Sequence, residues 1–190
     1  MAEGGGAGAA DRGPATRVTI IVDGANVVGS RPDGWWRDRA GAAVRLHDNL
    51  AKLAERGEQG IPATELSASE PAAAGGRGPG HDPGTETPGA AEPAEAEALV
   101  LVTVLLVLEG AARRAVPRIA ERARTANGDA KSDGEVEVVS APGSGDDEIV
   151  RQAQRLAGHC IVVTADRELR RRCVAAGARV AGPSWLYGLL

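Results

Sequence analysis

Aromatic residues are scarce in this chain, which contains no Phe, one Tyr and three Trp among 190 residues. A core packed with aromatic rings is therefore excluded, and Val, Leu, Ile and Ala must supply the apolar surface that folding buries. These residue types suit β-strands that alternate with Ala-rich helices. The length is sufficient for one domain whose core is stable without disulfides or a structural metal.

Cysteine and long apolar runs are also scarce. Cys160 and Cys173 are too few for a disulfide framework and lack the CxxC spacing of a zinc site, so both are predicted to be small buried apolar side chains. The longest apolar run, 98–108, is shorter than the ~20 residues of a membrane helix. No charged and apolar leader opens the chain. These absences predict a cytoplasmic protein without a membrane partner.

An excess of positive charge is absent as well, since the net charge is −4 and the pI is about 5.5. This excludes a protein that coats nucleic acid through bulk charge. It does not exclude a nuclease, because local basic patches and bound metal ions can attract nucleic acid.

Two segments are rich in Gly, Ala, Pro and Glu and lack hydrophobic periodicity. Residues 1–15 are predicted to form a disordered tail, and residues 57–97 a disordered insertion, because neither can bury enough surface to offset the entropy of ordering. One domain is then predicted over 16–190. It can tolerate the insertion, since long loops cost little extra closure entropy.

The rest of the sequence alternates short apolar runs with amphipathic segments. Strands are predicted over 18–22, 99–108, 136–139, 161–163 and 179–181. Helices are predicted over 35–56 with a stop at Gly57, over 111–124 with a kink or a break at Pro117, over 146–157 and over 167–176. A turn or short helix is predicted over 183–190. This order predicts an α/β fold with a central, mostly parallel sheet and helices on both faces.

Acidic residues follow one predicted strand after another. Asp23 ends the first strand, Glu109 follows the second, Asp146 and Asp147 open the helix after the third, and Asp166 follows the fourth. Parallel strands end at one edge of the sheet, where ligands bind, so these carboxylates are expected to converge there. Crowded carboxylates repel one another, and all-oxygen ligand sets favour Mg²⁺ or Mn²⁺. Such ions activate water for attack on phosphodiesters.

Each of these acidic residues also has an ordinary structural interpretation. Asp23 can stand in a simple turn, and Glu109 can be a solvated strand end. Asp146, Asp147 and Asp166 can cap or open helices, where negative charge is favourable. The joint pattern favours a site, because these structural roles do not require every strand in turn to end in acid.

Three further polar residues are candidates for the same site. Asn26 can orient Asp23 or a metal-bound water, or it can simply serve a turn. Thr164 can hydrogen-bond a neighbouring carboxylate or cap a helix. Asp38 is a candidate for an additional carboxylate.

Three motifs together resemble a known family. They read Val-Asp23-Gly-Ala-Asn26-Val-Val, Gly-Ser-Gly-Asp146-Asp147-Glu-Ile-Val and Val-Val-Thr164-Ala-Asp166-Arg-Glu-Leu. Their order and spacing are similar to those of the PIN-like NYN (YacP-type) nuclease domain, over most of the chain outside the tail and the insertion. The resemblance implies a metal-dependent endoribonuclease that binds Mg²⁺ or Mn²⁺ through the four aspartates, with Asn26 in support.

Arginines on two predicted helices are candidates for contacts with RNA phosphates. They are Arg113, Arg114 and Arg118 after the second strand, and Arg167 and Arg170 after the fourth. The alternative is that these arginines lie on solvated helix faces with local acidic partners. Trp35 and Trp36 can stack on bases or pack the first helix against the sheet.

Two other functions fit the same residues. A nucleotide (NTP) pyrophosphohydrolase is one, because the metal site could also attack a phosphoanhydride, although no GxxxxGK[ST] loop is present. A non-catalytic RNA- or ribosome-binding module is the other. The expected partner is RNA, either ribosome-associated or structured, and a homodimer is one of the oligomeric states left open.

Overall fold

The central sheet of the computed structural model follows the predicted strands. Residues 16–67, 98–127 and 136–190 are described. In these ranges six strands form the sheet, and they are β1 (Arg17–Asp23), β2 (Ile61–Pro62), β3 (Leu99–Leu108), β4 (Glu137–Ser140), β5 (Cys160–Val163) and β6 (Arg179–Ala181). Their order is β2-β3-β1-β5-β6, and β4 also pairs with β3. Only the β2–β3 pair is antiparallel among these strands.

Helices cover both faces of this sheet, as the sequence predicts. In the described ranges the α-helices are α1 (Gly24–Gly29), α2 (Arg39–Gln59), α3 (Ala63–Ser67), α4 (Val116–Asn127), α5 (Gly145–Arg155), α6 (Arg167–Ala175) and α7 (Pro183–Leu189). Two 3₁₀ turns, Trp35–Arg37 and Gly110–Ala115, precede α2 and α4. None of the helices in the ranges given above combines the length and the apolar character that a membrane span requires.

The core consists of two layers, one on each face of the sheet. Side chains alternate between faces along a strand, so Ile20 faces the layer that contains α2 and α7, while Ile21 faces the layer that contains α5 and α6. Both are fully buried. Burial on both faces is why the strands read as continuous apolar runs. The two cysteines are buried in the second layer, as predicted, and burial raises the pKa of the Cys173 thiol to about 11.

The predicted disordered insertion is wrong over 57–67. There α2 continues to Gln59, and β2 and α3 follow it. Ile61 pairs with Val100 of β3, and the side chains of Ile61 and Leu66 are buried in the core. The amide of Ala63 donates to the carbonyl of Ala98 at 2.9 Å, so the chain returns beside the point it left. The predictions for 1–15 and 68–97 lie outside the described residues.

The predicted helix over 35–56 is also corrected. A 3₁₀ turn comes first, and α2 begins after Asp38, whose carboxylate accepts a hydrogen bond from the Gly41 amide at 2.8 Å. Gly57 does not stop α2. A Cβ at this position would overlap the carbonyl oxygen of Val102, so the glycine allows α2 to lie directly against β3. The helix ends instead at Gly60, whose φ of +92° favours glycine.

The segments that follow β1 and β3 can also be compared with the prediction. Residues 24–29, expected to form a turn, form the short helix α1, which Asp23 caps by accepting a hydrogen bond from the Asn26 amide. The predicted break at Pro117 is confirmed, since a 3₁₀ turn ends at Ala115 and α4 begins at Val116.

Candidate active site

The carboxyl ends of three neighbouring parallel strands bring the candidate residues to one edge of the sheet. β1 lies between β3 and β5. Asp23 is the last residue of β1, Glu109 follows β3, and Thr164 follows β5. Helix α5 packs across all three strands and brings its first turn to the same edge.

The carboxylate of Asp23 is held in one orientation. Asp23 is only 5% exposed. Oδ1 accepts a hydrogen bond from the Asn26 amide at 3.1 Å, and Oδ2 accepts from Nδ2 of Asn26 at 2.7 Å and from the Thr164 hydroxyl at 2.8 Å. These three hydrogen bonds replace much of the hydration that the Asp23 carboxylate loses on burial. Asp23 is therefore a fixed point around which the other acidic residues are arranged.

Thr164 connects Asp23 to Asp166. Its hydroxyl is fully buried, donates to Asp23 and accepts a hydrogen bond from the backbone amide of Asp166 at 3.1 Å. Oδ1 of Asp166 in turn accepts from the Leu169 amide at 2.8 Å and caps α6. One hydroxyl thus fixes the end of β5 and the start of α6 relative to Asp23.

Asp146 lies in the first turn of α5, among the other carboxylates. Partial burial raises the pKa of its carboxyl, and the negative charges of Asp23, Asp166 and Glu109 raise this pKa further. The charge of Arg172 acts in the opposite direction but does not outweigh them. Asp23, Glu109, Asp146 and Asp166 therefore share one electrostatic neighbourhood, which we name the acidic edge.

Glu109 joins β3 to the start of α5. Its Oε2 accepts a hydrogen bond from the Gly145 amide at 2.7 Å. A Cβ on Gly145 would stand 2.9 Å from the same oxygen, so the absence of a side chain allows this close approach. The sequence offered Glu109 only as an optional ligand, but the structure shows that it helps to place Asp146.

Asp147 is placed differently from its neighbour Asp146. Its side chain is 72% exposed and forms an ion pair with Arg172 of α6 at 2.5 Å. Of this adjacent pair, Asp146 is the one whose pKa is raised by the charges of the other three acids of the acidic edge, after the effect of its own partial burial. Nothing in the order of the strands indicates that a basic residue reaches Asp147. Asp38 serves as the N-cap of α2.

The candidate arginines lie on the second 3₁₀ turn, on α4 and on α6. Arg113 donates to the Ala141 carbonyl at 3.3 Å, Arg114 lines an open cleft beside the 3₁₀ turns, and Arg118 is exposed on α4. Arg167 is exposed directly after Asp166, and Arg170 is partly buried one turn further along α6. Arg167 is thus next in sequence to Asp166 of the acidic edge, and Arg114 lines a cleft that shares Arg39 and Ala111 with the cleft containing Glu109.

The donor atoms at the acidic edge are those that a hard cation prefers. They are carboxylate oxygens, and the nearby Thr164 and Asn26 add further polar oxygens. Within the described ranges, no three acidic, His or Cys side chains stand close enough together to hold a metal ion as they are. Metal binding therefore requires side chains of the acidic edge to draw together. Partial burial raises the pKa of Asp146 and the neighbouring negative charges raise it further, and a cation at the edge would relieve the repulsive part.

Comparisons with known proteins give a distant likeness of fold. No family model matches the chain, and no curated protein sequence matches it. A solved structure, a point variant of Rae1 (YacP) from Bacillus subtilis, is similar at a TM-score of 0.44 and 16% identity, and the alignment covers 90% of this chain and 72% of that one. A likeness this remote assigns no residue a role, so roles depend on the geometry of the acidic edge.

Proposed function

We propose that this chain is a divalent-metal-dependent ribonuclease that hydrolyses RNA phosphodiester bonds at the acidic edge. The observation that carries the proposal is the position of Asp146. It lies at the carboxyl ends of the parallel strands, which is where α/β proteins bind ligands. Partial burial raises the pKa of its carboxyl, and the negative charges of Asp23, Asp166 and Glu109 raise it further. Such a concentration of negative charge favours a cation over any anionic ligand.

Each residue of the acidic edge has a role in this proposal. Asp23, fixed by Asn26 and Thr164, anchors Mg²⁺ or Mn²⁺, and Asp146 and Asp166 complete the set of ligands with Glu109 beside them. The bound ion would lower the pKa of a water molecule and offset the charge that develops on the phosphate.

Asp147 has a conditional role, because it can join the ligands only by releasing Arg172. Its exchange between the arginine and the ion would then couple metal binding to the position of α6.

RNA is the substrate that the surroundings of the acidic edge favour. Arg167 is exposed directly after Asp166, and Arg114 lines a cleft that adjoins the one containing Glu109, so both are available to bind the phosphates of an RNA chain. The resemblance of the three sequence motifs to the NYN nuclease domain favours the same substrate. Hydrolysis of nucleoside triphosphates is the second candidate, because the same ion could activate water against a phosphoanhydride.

The test is cleavage of labelled single-stranded and structured RNA with Mn²⁺, with EDTA, and with nucleoside triphosphates as competing substrates. Asp146→Asn should lower the cleavage rate by roughly 100-fold or more, because it removes a ligand of the ion that would stabilise transition-state charge. Asp48→Asn is the matched control, since Asp48 lies on α2 and pairs with Arg122. It should leave the rate unchanged.

Three outcomes would contradict the proposal in different ways. Hydrolysis of triphosphates without cleavage of any RNA would make the chain a nucleotide hydrolase. Equal activity of Asp146→Asn and wild type would move the site elsewhere. Absence of Mn²⁺ binding in calorimetry would refute metal-dependent catalysis at this edge.

A further inference from the structure

A cleft of about 170 Å³ opens directly beside the acidic edge. Its walls are mostly apolar and come from three separate parts of the chain, namely α1, the first 3₁₀ turn and the second 3₁₀ turn. The residues that matter here are Ala25, Val28, Trp35, Ala112 and Glu109. Glu109 belongs to both the cleft and the acidic edge, so the two are continuous.

Trp35 gives this cleft a flat aromatic wall whose position is fixed. Its ring lies beside Gly29 of α1, where an added Cβ would stand 3.7 Å from it, and its backbone amide donates to Oδ1 of Asp33 at 3.2 Å. The ring of Trp36 meets it edge-on, with centroids 6.2 Å apart and planes at 84°. The guanidinium of Arg39 lies 5.4 Å from the centroid of Trp35. A ring held on several sides loses little freedom when a ligand stacks on it.

A second cleft continues from the first and is basic. It has a volume of about 350 Å³, shares Arg39 and Ala111 with the first cleft, and is also lined by Arg37 and Arg114. Moving away from the acidic edge, the surface therefore changes from acidic to aromatic to basic. A nucleotide chain presents the matching sequence of groups, with a scissile phosphate at the metal, a base beside it, and further phosphates beyond.

We propose that the first cleft binds one unpaired nucleobase of an RNA strand, stacked on Trp35, while the adjoining phosphates lie along Arg37, Arg39 and Arg114. This inference rests on the proposed function and narrows its substrate to RNA with an unpaired base beside the cleaved bond. A dry cavity of about 150 Å³ is known to take up a benzene ring, so a cleft of this size admits a six-membered ring. In a duplex the faces of the base are covered by its neighbours and cannot reach Trp35.

The experiment measures binding in EDTA, where metal-dependent cleavage cannot occur. Fluorescence anisotropy is recorded with a set of short labelled oligoribonucleotides, each with one abasic site at a different position. In the wild type, one position should weaken binding by roughly 5- to 100-fold, the range that corresponds to one stacked base. The same position should matter equally in Trp35→Phe, which keeps an aromatic face, and hardly at all in Trp35→Ala.

The wild-type series contains no substitution in the protein, so it tests the cleft even if a variant folds poorly. Equal binding of all abasic strands, or the same sensitivity in Trp35→Ala as in the wild type, would overturn the inference. Parallel cleavage assays with Mn²⁺ separate it from the proposed function. Cleavage with base-independent binding rejects the cleft alone, whereas base-dependent binding without cleavage supports the cleft and rejects the nuclease.

Discussion

Replacing Asp146 by Asn should make the metal-free protein more stable. Burial and three neighbouring carboxylates raise the pKa of Asp146 above its usual value of 3.8. An acid with a raised pKa in the folded state binds its proton more tightly there than in the unfolded chain. The free energy of unfolding therefore falls as pH rises from 3.8 through the folded-state pKa. At neutral pH the wild type carries this full penalty, and the uncharged amide of Asn removes it.

The magnitude follows from the position of Asp146. Its side chain is only partly buried, so water screens the repulsion. The free energy of unfolding should therefore rise by about 0.5–1 kcal/mol in Asp146→Asn, at the lower end of the range for charge optimisation. For a domain of this size that corresponds to a rise in Tm of about 1–4 °C. Mn²⁺ at 100 times its Kd should raise the free energy of unfolding of the wild type by about 2.7 kcal/mol and its Tm by roughly 5–11 °C. Both increases should be far smaller in the variant.

The order of stability should therefore reverse when metal is added. Thermal unfolding followed by circular dichroism in EDTA and in MnCl₂ measures both effects, and the difference in EDTA should shrink as pH falls toward 3.8. Asp48→Asn removes a carboxylate that pairs with Arg122, so it should not stabilise the protein in either condition. A lower Tm for Asp146→Asn than for wild type in EDTA at neutral pH would refute the reasoning.

Three further substitutions test other contacts. Thr164→Val leaves Oδ2 of Asp23 without its hydroxyl donor and should cost about 1–3 kcal/mol in urea unfolding and slow cleavage, whereas Thr164→Ser should restore both. Asp147→Asn breaks an exposed ion pair and should change the free energy of unfolding by less than about 1 kcal/mol, so a large loss of cleavage would identify it as a ligand. Gly57→Ala forces a methyl group against the Val102 carbonyl and should destabilise by about 1–3 kcal/mol, and a midpoint in urea equal to wild type would contradict the close packing of α2 on β3.

Most of the sheet could be predicted because its strands are buried on both faces. The runs at 18–22 and 99–108 are apolar at every position except Thr19 and Thr103, and Asp23-Gly24 and Glu109-Gly110 follow them. Ile61 and Leu66 were missed because they stand alone in a stretch of polar and small residues. Their burial depends on pairing with Val100, which is far away in sequence. Local composition cannot show such a long-range contact.

Only those site residues that stand at the ends of strands could be placed from the sequence. The positions of Asp23 and Asp166 follow from the order of the strands. The choice between Asp146 and Asp147 does not, because consecutive residues on a helix point about 100° apart and the docking of α5 decides which one faces the sheet. The cleft beside Trp35 could not be predicted, since its walls come from segments that meet only in the folded chain.

The hydrogen bond between Ala63 and Ala98 determines how far residues inserted between them start from the acidic edge. It joins the two sides of residues 68–97 at the amino end of β3, and the acidic edge lies at the carboxyl end of the same strand. Ten residues of strand separate them by roughly 30 Å. A purification tag or fluorophore inserted between Ala63 and Ala98 would therefore be attached at the end of β3 that is remote from the acidic edge.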